Sequence, residues 1–193
     1  MNNRKTYTLY AGVNGAGKST IYKVVSQAPD EARINPDEIL LKNGGDWRNT
    51  NDQIAAMQEC VRKLHQYIED GVSFNQETTL SGRSIFSTVQ KARENGYLIK
   101  LFYIGLENAD LAVQRVQQRV QKGGHGIDEA TVRKRYSVSM TALRTIIPLC
   151  DVVEIFDNTS EFTSVAKYKN GEWIEFDFSC KWLVEALPDV HTI

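Results

Sequence analysis

Cysteine is scarce in this sequence: Cys60, Cys150 and Cys180 lie far apart, with neither a metal-ligand spacing nor an even count. A disulfide framework and a thiolate metal site are therefore not expected, and three isolated thiols suit core or surface positions in a reducing compartment. Charge of one sign is lacking too. The 23 Lys and Arg residues and 24 Asp and Glu residues leave a formal net charge of −1, and no long run of either sign occurs. That balance argues against a standing basic surface for nucleic acid or anionic membrane and favours small anions held locally. No apolar run approaches the roughly 20 residues that span a bilayer. The charged N-terminus leads into an apolar stretch too short for a signal sequence. Neither internal repeats nor low-complexity segments are present. The expectation is one soluble, cytoplasmic domain over residues 1–193, long enough to bury a full core.

The stretch Gly12-Val13-Asn14-Gly15-Ala16-Gly17-Lys18-Ser19 fits the phosphate-binding pattern GxxxxGK[ST] at every fixed position. Such a loop wraps backbone N–H groups around nucleotide phosphates, sends its lysine to the β and γ oxygens and offers a hydroxyl to Mg²⁺. Thr6-Tyr7-Thr8-Leu9-Tyr10-Ala11 before it reads as a strand, and the run from Ser19 and Thr20 to Val25 reads as a helix. A helix beginning there adds its dipole to the anion site. The loop predicts ATP or GTP handled with Mg²⁺, with residues Gly12 to Thr20 as the nucleotide site and Ser19 as the metal ligand.

Further strands are predicted at Ala32-Arg33-Ile34-Asn35, residues 72–77, 97–104 and 152–156. Gln27-Ala28-Pro29-Asp30 breaks the pattern after the first helix. Ile54, Met57, Val61, Leu64 and Ile68 recur at three- and four-residue steps, predicting an amphipathic helix from Thr50 to Asp70-Gly71 with Thr50 and Gln53 as a capping box. Helices carrying Ile85, Val89 and Ala92, then Ala109, Val113, Val116 and Val120, then Val132, Tyr136, Met140, Leu143 and Ile147 follow in turn. The tail reads as a hairpin around Lys169-Asn170-Gly171, with Ile174, Phe176 and Phe178 on one buried face, and then a short helix with Trp182, Leu183 and Leu187. Strands alternating with helices predict an α/β fold: a doubly wound, mainly parallel five-stranded sheet of the P-loop NTPase type with helices on both faces, plus a C-terminal β-hairpin. A lid is expected over about 115–136 and a C-terminal extension over about 159–193.

Ligands of such sheets collect at the carboxyl ends of the strands, which selects the polar residues that matter. Asp37, just after the second strand, could orient an acceptor hydroxyl and take its proton, or could simply cap the helix after Pro36; Glu38 is a second candidate. Glu77, with Thr78 and Thr79 beside it, could hold Mg²⁺ through water or bind hydroxyls of an acceptor. Arg115, Arg119, Arg133 and Arg135 flank the glycine-rich Gly123-Gly124-His125-Gly126, the arrangement of a lid that carries guanidinium groups onto phosphates. His125 could touch ligand, and Asn158 the nucleotide base. Leu80-Ser81-Gly82 runs on into Arg83, so the signature of an ABC transporter ATPase is missing.

Taken in order, residues 12–20, Ile34-Asn35-Pro36-Asp37, Glu77-Thr78-Thr79-Leu80, the run from Arg115 to Val120, Gly123-Gly124-His125 and Arg133-Lys134-Arg135-Tyr136 resemble zeta toxin-like P-loop kinases. The branch they resemble most is that of short bacterial proteins often labelled predicted ABC-type ATPases. The resemblance covers residues 6–158. It implies a kinase that uses ATP and Mg²⁺ to phosphorylate UDP-N-acetylglucosamine or a related UDP-sugar, restrained by a small antitoxin protein. It matches Asp37 to the general base, Lys18 and Ser19 to the ATP and Mg²⁺ groups, Glu77 and Thr79 to substrate contacts, and the two lid arginines to Arg119 and Arg135, with Arg133 as the alternative. Kinases of a nucleoside, an antibiotic hydroxyl or an RNA end, and an ATP-driven switch with no acceptor, remain the other readings of the same residues.

Overall fold

A computed structural model of the chain describes residues 4–25, 32–82 and 84–191. The expected break at Gln27 to Asp30 lies outside them. Seven strands, β1 (Thr6–Gly12), β2 (Ala32–Ile34), β3 (Phe74–Thr78), β4 (Leu98–Gly105), β5 (Val152–Asp157), β6 (Thr163–Lys169) and β7 (Glu172–Phe176), form one sheet in the order β2-β3-β1-β4-β5-β6-β7. The first five are parallel. The expected hairpin is there too, but it extends the sheet rather than standing beside it, because β6 pairs antiparallel with β5.

Helices α1 (Lys18–Val25), α2 (Pro36–Lys42), α3 (Thr50–Asp70), α4 (Ser84–Glu94), α5 (Ala109–Gln121), α6 (Glu129–Ile146) and α7 (Lys181–Ala186) make the crossovers and the closing turn. Tyr7, Leu9, Phe74, Ile99, Leu101 and Tyr103 pack with α3, α4 and α7 in one buried cluster, while Tyr10 and Ile104 pack with Ile21, Val113 and Val116 of α1 and α5 in another. Helices thus cover both faces, and each fully buried side chain of this size contributes about 1.5–3 kcal/mol. The strand order reverses at β1: the chain moves to β2 and β3 on one side and to β4 on the other. That reversal opens a crevice at the carboxyl end of β1, where the glycine-rich loop begins. Among the described residues no helix is long and apolar enough to cross a membrane.

Three local expectations are corrected. The α3 face turned inward is Ala56, Cys60, Leu64 and Ile68, while Ile54 and Met57 are 49% and 50% exposed. The small side chains at positions 56 and 60 suit close packing of the helix against α2, which outweighs the size of the neighbouring apolar residues. Its N-cap is Asn49, whose side chain accepts the Asn51 N–H at 2.9 Å, and Gln53 Nε2 donates to the Trp47 carbonyl instead of closing a capping box. In the hairpin, Asn170 and Gly171 take φ of 52° and 98°, the left-handed pair of a type I′ turn. A bulge then shifts the register, so that Tyr168 pairs with Trp173 while Lys167 pairs with Glu175 and Ala166 with Phe176. Trp173 and Phe176 share the inner face, their rings 5.3 Å apart, and Ile174 and Phe178 are left 55% and 48% exposed.

Candidate active site

The loop after β1 needs its glycines. Gly12, Gly15 and Gly17 hold φ of 142°, 77° and 95°, a region that side chains disfavour. A Cβ at Gly12 would also run into the Ile104 carbonyl oxygen. Val13 and Ala16 anchor the loop in the core, and Thr20 and Ile21 donate their N–H groups to Gly17 O at 3.0 and 3.1 Å as α1 begins. Asn158, at the end of β5, braces the loop from outside by donating Nδ2 to Ala16 O at 2.8 Å. Arg115 supports the same corner through Thr159 O at 3.1 Å.

Lys18 lies in the loop, buried, with Nζ donating to Val13 O at 3.0 Å. Burial pushes its pKa down; the carboxylates of Glu77 and Asp37 push it back up, and the guanidinium groups of Arg119 and Arg135 add to the lowering. Residues from the loop after β1 and from α2, β3, α5 and α6 therefore act on one ammonium group. Asp37 and Glu77 are brought there by topology, at the carboxyl ends of β2 and β3, while Arg119 and Arg135 come from α5 and α6, on either side of the glycine-rich turn at 123–126.

Glu77 is the centre of a polar network. Its carboxylate accepts Ser19 Oγ at 2.9 and 3.1 Å, Arg33 Nη2 at 2.8 Å and Asn35 Nδ2 at 3.0 Å. Arg33 also bonds Glu38 at 2.9 Å and Asn75 at 3.2 Å, and its guanidinium lies 3.7 Å from the centre of the Tyr22 ring. Arg33 and Asn35 were missed by the sequence reading as site residues. An Asn before Pro at a helix start is a capping signal, but a three-residue strand gives no periodicity to say where Arg33 points.

That same capping decides between the uses of Asp37. Asn35 caps α2 by accepting the Asp37 N–H at 2.9 Å, so the Asp37 side chain is not the cap. Glu38 is tied to Arg33 and Asn35, whereas Asp37 stays 52% exposed and faces His125 Nε2 across 3.8 Å. Thr78 and Thr79 have local duties: Thr78 Oγ1 accepts the Leu80 N–H at 3.1 Å, and the Thr79 hydroxyl meets that of Ser81 at 2.7 Å. They hold a turn in which buried Leu80 adopts φ of 55°.

The glycine-rich turn at residues 123–126 is ordered by Arg119, whose Nε donates to His125 O at 2.7 Å. Burial lowers the pKa of His125; Asp37 opposes this, and Arg119 and Arg135 reinforce it. The imidazole is therefore neutral near pH 7, below which His ordinarily charges at about 6.5. Arg133 behaves differently from Arg135, being paired with Asp110 at 2.7 Å and Glu129 at 2.8 Å on the outer surface. Trp47, between α2 and α3, also joins the site through a ring contact with His125 at 5.4 Å, and no sequence signal marked it. Among the described residues no group of three or more His, Cys, Asp or Glu could hold a metal ion. A metal here would depend on Ser19, Glu77 and oxygens of its ligand, a donor set that suits Mg²⁺, which keeps several waters and binds phosphates.

The chain is similar to an uncharacterized protein of Haemophilus influenzae, with 35% identity over 127 residues, 66% of this chain and 89% of that protein. Its fold is shared with a chain of the AvrRxo1-ORF1:-ORF2 complex crystallised with ATP, at a TM-score of 0.75 and 17% identity. That match covers 100% of this chain, which spans only 66% of the longer relative. It is shared also with the PezAT chromosomal toxin-antitoxin system of Streptococcus pneumoniae, at a TM-score of 0.62 and 15% identity over 99% of this chain and 81% of that one. The zeta toxin family model matches residues 1–170, and with so much of its length matched, this chain belongs to the zeta toxin family.

Proposed function

We propose that this protein is an ATP- and Mg²⁺-dependent kinase that transfers the γ-phosphate to a hydroxyl of a UDP-sugar, UDP-N-acetylglucosamine first among them. Membership of the family makes it a phosphotransferase. The observation that carries the reading further is the gathering of charged groups around the phosphate loop: Glu77 bonds Ser19, Asp37 stands 3.8 Å from His125, Arg119 bonds the His125 carbonyl, and Asp37, Glu77, Arg119 and Arg135 all act on the Lys18 ammonium. Lys18 supplies positive charge to the β and γ phosphates, and residues Gly12 to Thr20 cradle them. Arg119 and Arg135 neutralise charge on the transferring group. The buried Arg119 Nη2 has no hydrogen-bond partner among the described residues, which supports an anionic ligand there, since leaving such a donor unpaired costs about 1–3 kcal/mol.

In the transfer, the acceptor oxygen forms a bond to the γ phosphorus. The bond from that phosphorus to the β–γ bridging oxygen breaks, its electron pair leaving with ADP, and the hydroxyl proton passes to Asp37. Mg²⁺, when bound, supplies charge neutralisation at the phosphates. Ser19 would hold it directly and Glu77 through water. The carboxylates of Asp37 and Glu77 suit a polyhydroxyl acceptor, with Thr78 and Thr79 holding the turn beside them, and the arginines suit one that carries phosphates; a nucleotide-sugar meets both demands. A small antitoxin partner belongs to the same reading, supported by the shared fold with the PezAT toxin-antitoxin system.

The test is incubation with ATP, Mg²⁺ and, separately, UDP-sugars, nucleosides and aminoglycosides, followed by mass spectrometry for the gain of one phosphate. Phosphorylation of a UDP-sugar is expected. A phosphorylated nucleoside or antibiotic with no modified UDP-sugar would overturn the substrate assignment, and ATP hydrolysis with no modified acceptor would favour a nucleotide switch.

A further inference from the structure

The lid turn rests on Trp47, a residue outside both the phosphate loop and the strand ends. Its ring and that of His125 are tilted at 48° with centroids 5.4 Å apart. A Cβ added to Gly126 would lie 2.6 Å from the same ring, so the turn seats this closely because residue 126 has no side chain. Trp47 is itself held: its carbonyl accepts Gln53 Nε2 from the first turn of α3, Arg48 lies 4.3 Å from the ring centre, and the side chain packs on the core.

What this seat fixes is chemical. The His125 carbonyl accepts Arg119 Nε, and the Gly124 N–H donates to Arg119 O at 2.9 Å, so the position of the turn sets the direction of the guanidinium group. On its other side, His125 Nε2 stands 3.8 Å from Asp37 Oδ1. That is too long for a hydrogen bond, yet it admits a single oxygen at about 2.8 Å from each group.

We propose that Trp47 is a positioning residue for phosphoryl transfer: by seating the lid turn it holds His125 and Asp37 on either side of the acceptor oxygen, and Arg119 toward the phosphates. His125 Nε2–H donates to that oxygen while Asp37 takes its proton. The groups facing the imidazole are Asp37 of α2, Arg119 of α5, Arg135 of α6 and Trp47 itself; burial and the two arginines favour the neutral ring, and Asp37 opposes them. The proposal rests on Asp37 as the base.

Hydrogen exchange of residues 119–126 in the nucleotide-free protein tests the seat without any acceptor. Trp47→Ala should speed exchange there about tenfold or more while β1 keeps its protection, and Trp47→Phe should restore most of it. Phosphoryl transfer is then followed to whichever acceptor the screen yields, or to water if it yields none. In Trp47→Ala and in Gly126→Ala, which leaves the ring intact but pries the turn away, kcat should fall about 100-fold, the effect of an ångström-scale misplacement. KM for ATP should change far less than kcat, because the phosphate loop is untouched and Arg119 acts chiefly on the transferring group. Unchanged exchange in Trp47→Ala, or faster exchange with unchanged kcat, overturns the proposal. An Asp37→Asn protein that transfers at the wild-type rate removes the base assignment instead, whatever the lid does.

Discussion

Replacing Arg33 by Met would strand the carboxylate on which the polar network converges. The Arg33 and Glu77 side chains are only 12% and 13% exposed and meet at 2.8 Å. Removing one partner of a buried pair costs about 3–5 kcal/mol, because the other charge stays behind in low dielectric. Glu77 would retain its bonds from Ser19 and Asn35, which places the loss at the low end of that range. The second arm, to Glu38, is 55% exposed on the carboxylate side and adds no more than about 1 kcal/mol. A net loss of about 3 kcal/mol follows, and urea denaturation should show it as a midpoint lowered by about 1.5 M for a slope near 2 kcal/mol/M. Adding Glu77→Gln removes the stranded charge, so the double variant should recover about 1–2 kcal/mol relative to Arg33→Met alone. A single variant within about 0.5 kcal/mol of wild type, or strict additivity in the double, would refute a buried network and leave an ordinary surface pair.

Lys18→Ala should fold normally and lose ATP affinity by about tenfold or more in titration calorimetry, since one charge–phosphate contact is worth at least about 1.4 kcal/mol. His125 has a folded pKa below its unfolded value, so its contribution to stability is complete above about pH 6.5 and is lost as pH falls through the folded pKa. The protection factors of residues 119–126, which allow for the slowing of intrinsic exchange in acid, should therefore fall as pH drops below about 6.5, and His125→Gln should flatten that dependence. Burial pushes the thiols of Cys60 and Cys150 up to about 11 and about 12, so an aromatic disulfide reagent at pH 8 should label them only after denaturation.

Several features were legible because local chemistry dictates them. The glycine loop between an apolar strand and a helix needs three backbone conformations that Gly provides, and the Asn170–Gly171 turn needs two in succession. Asp37 and Glu77 could be selected from position alone, given that strand ends converge in a doubly wound sheet. Other features depend on the third dimension. The buried face of α3 was misread because Ile54 and Met57 outweigh Ala56 and Cys60 in hydrophobicity, while close packing against α2 favours the small pair. The hairpin face was misread because a bulge changes the alternation and carries no sequence mark. Arg133 and Arg135, two residues apart on one helix, point to different sides, and only their partners show which side is the site's: Asp110 and Glu129 hold the first, while the charge of the second lowers the pKa values of Lys18 and His125. Trp47 carries no local signal, because its contact with the turn at His125 and Gly126 is made across the fold.

The account turns on Asp37 as the group that takes the acceptor proton, and Asp37→Asn isolates that role. Asparagine keeps the size of the side chain, and the cap of α2 belongs to Asn35, so the fold and the phosphate loop should be unaffected. Single-turnover transfer from ATP, measured beside calorimetric ATP affinity in the same preparation, should show binding within about twofold of wild type and transfer slower by about 10² to 10⁴. Transfer at the wild-type rate in a folded, ATP-binding Asp37→Asn protein would contradict the account.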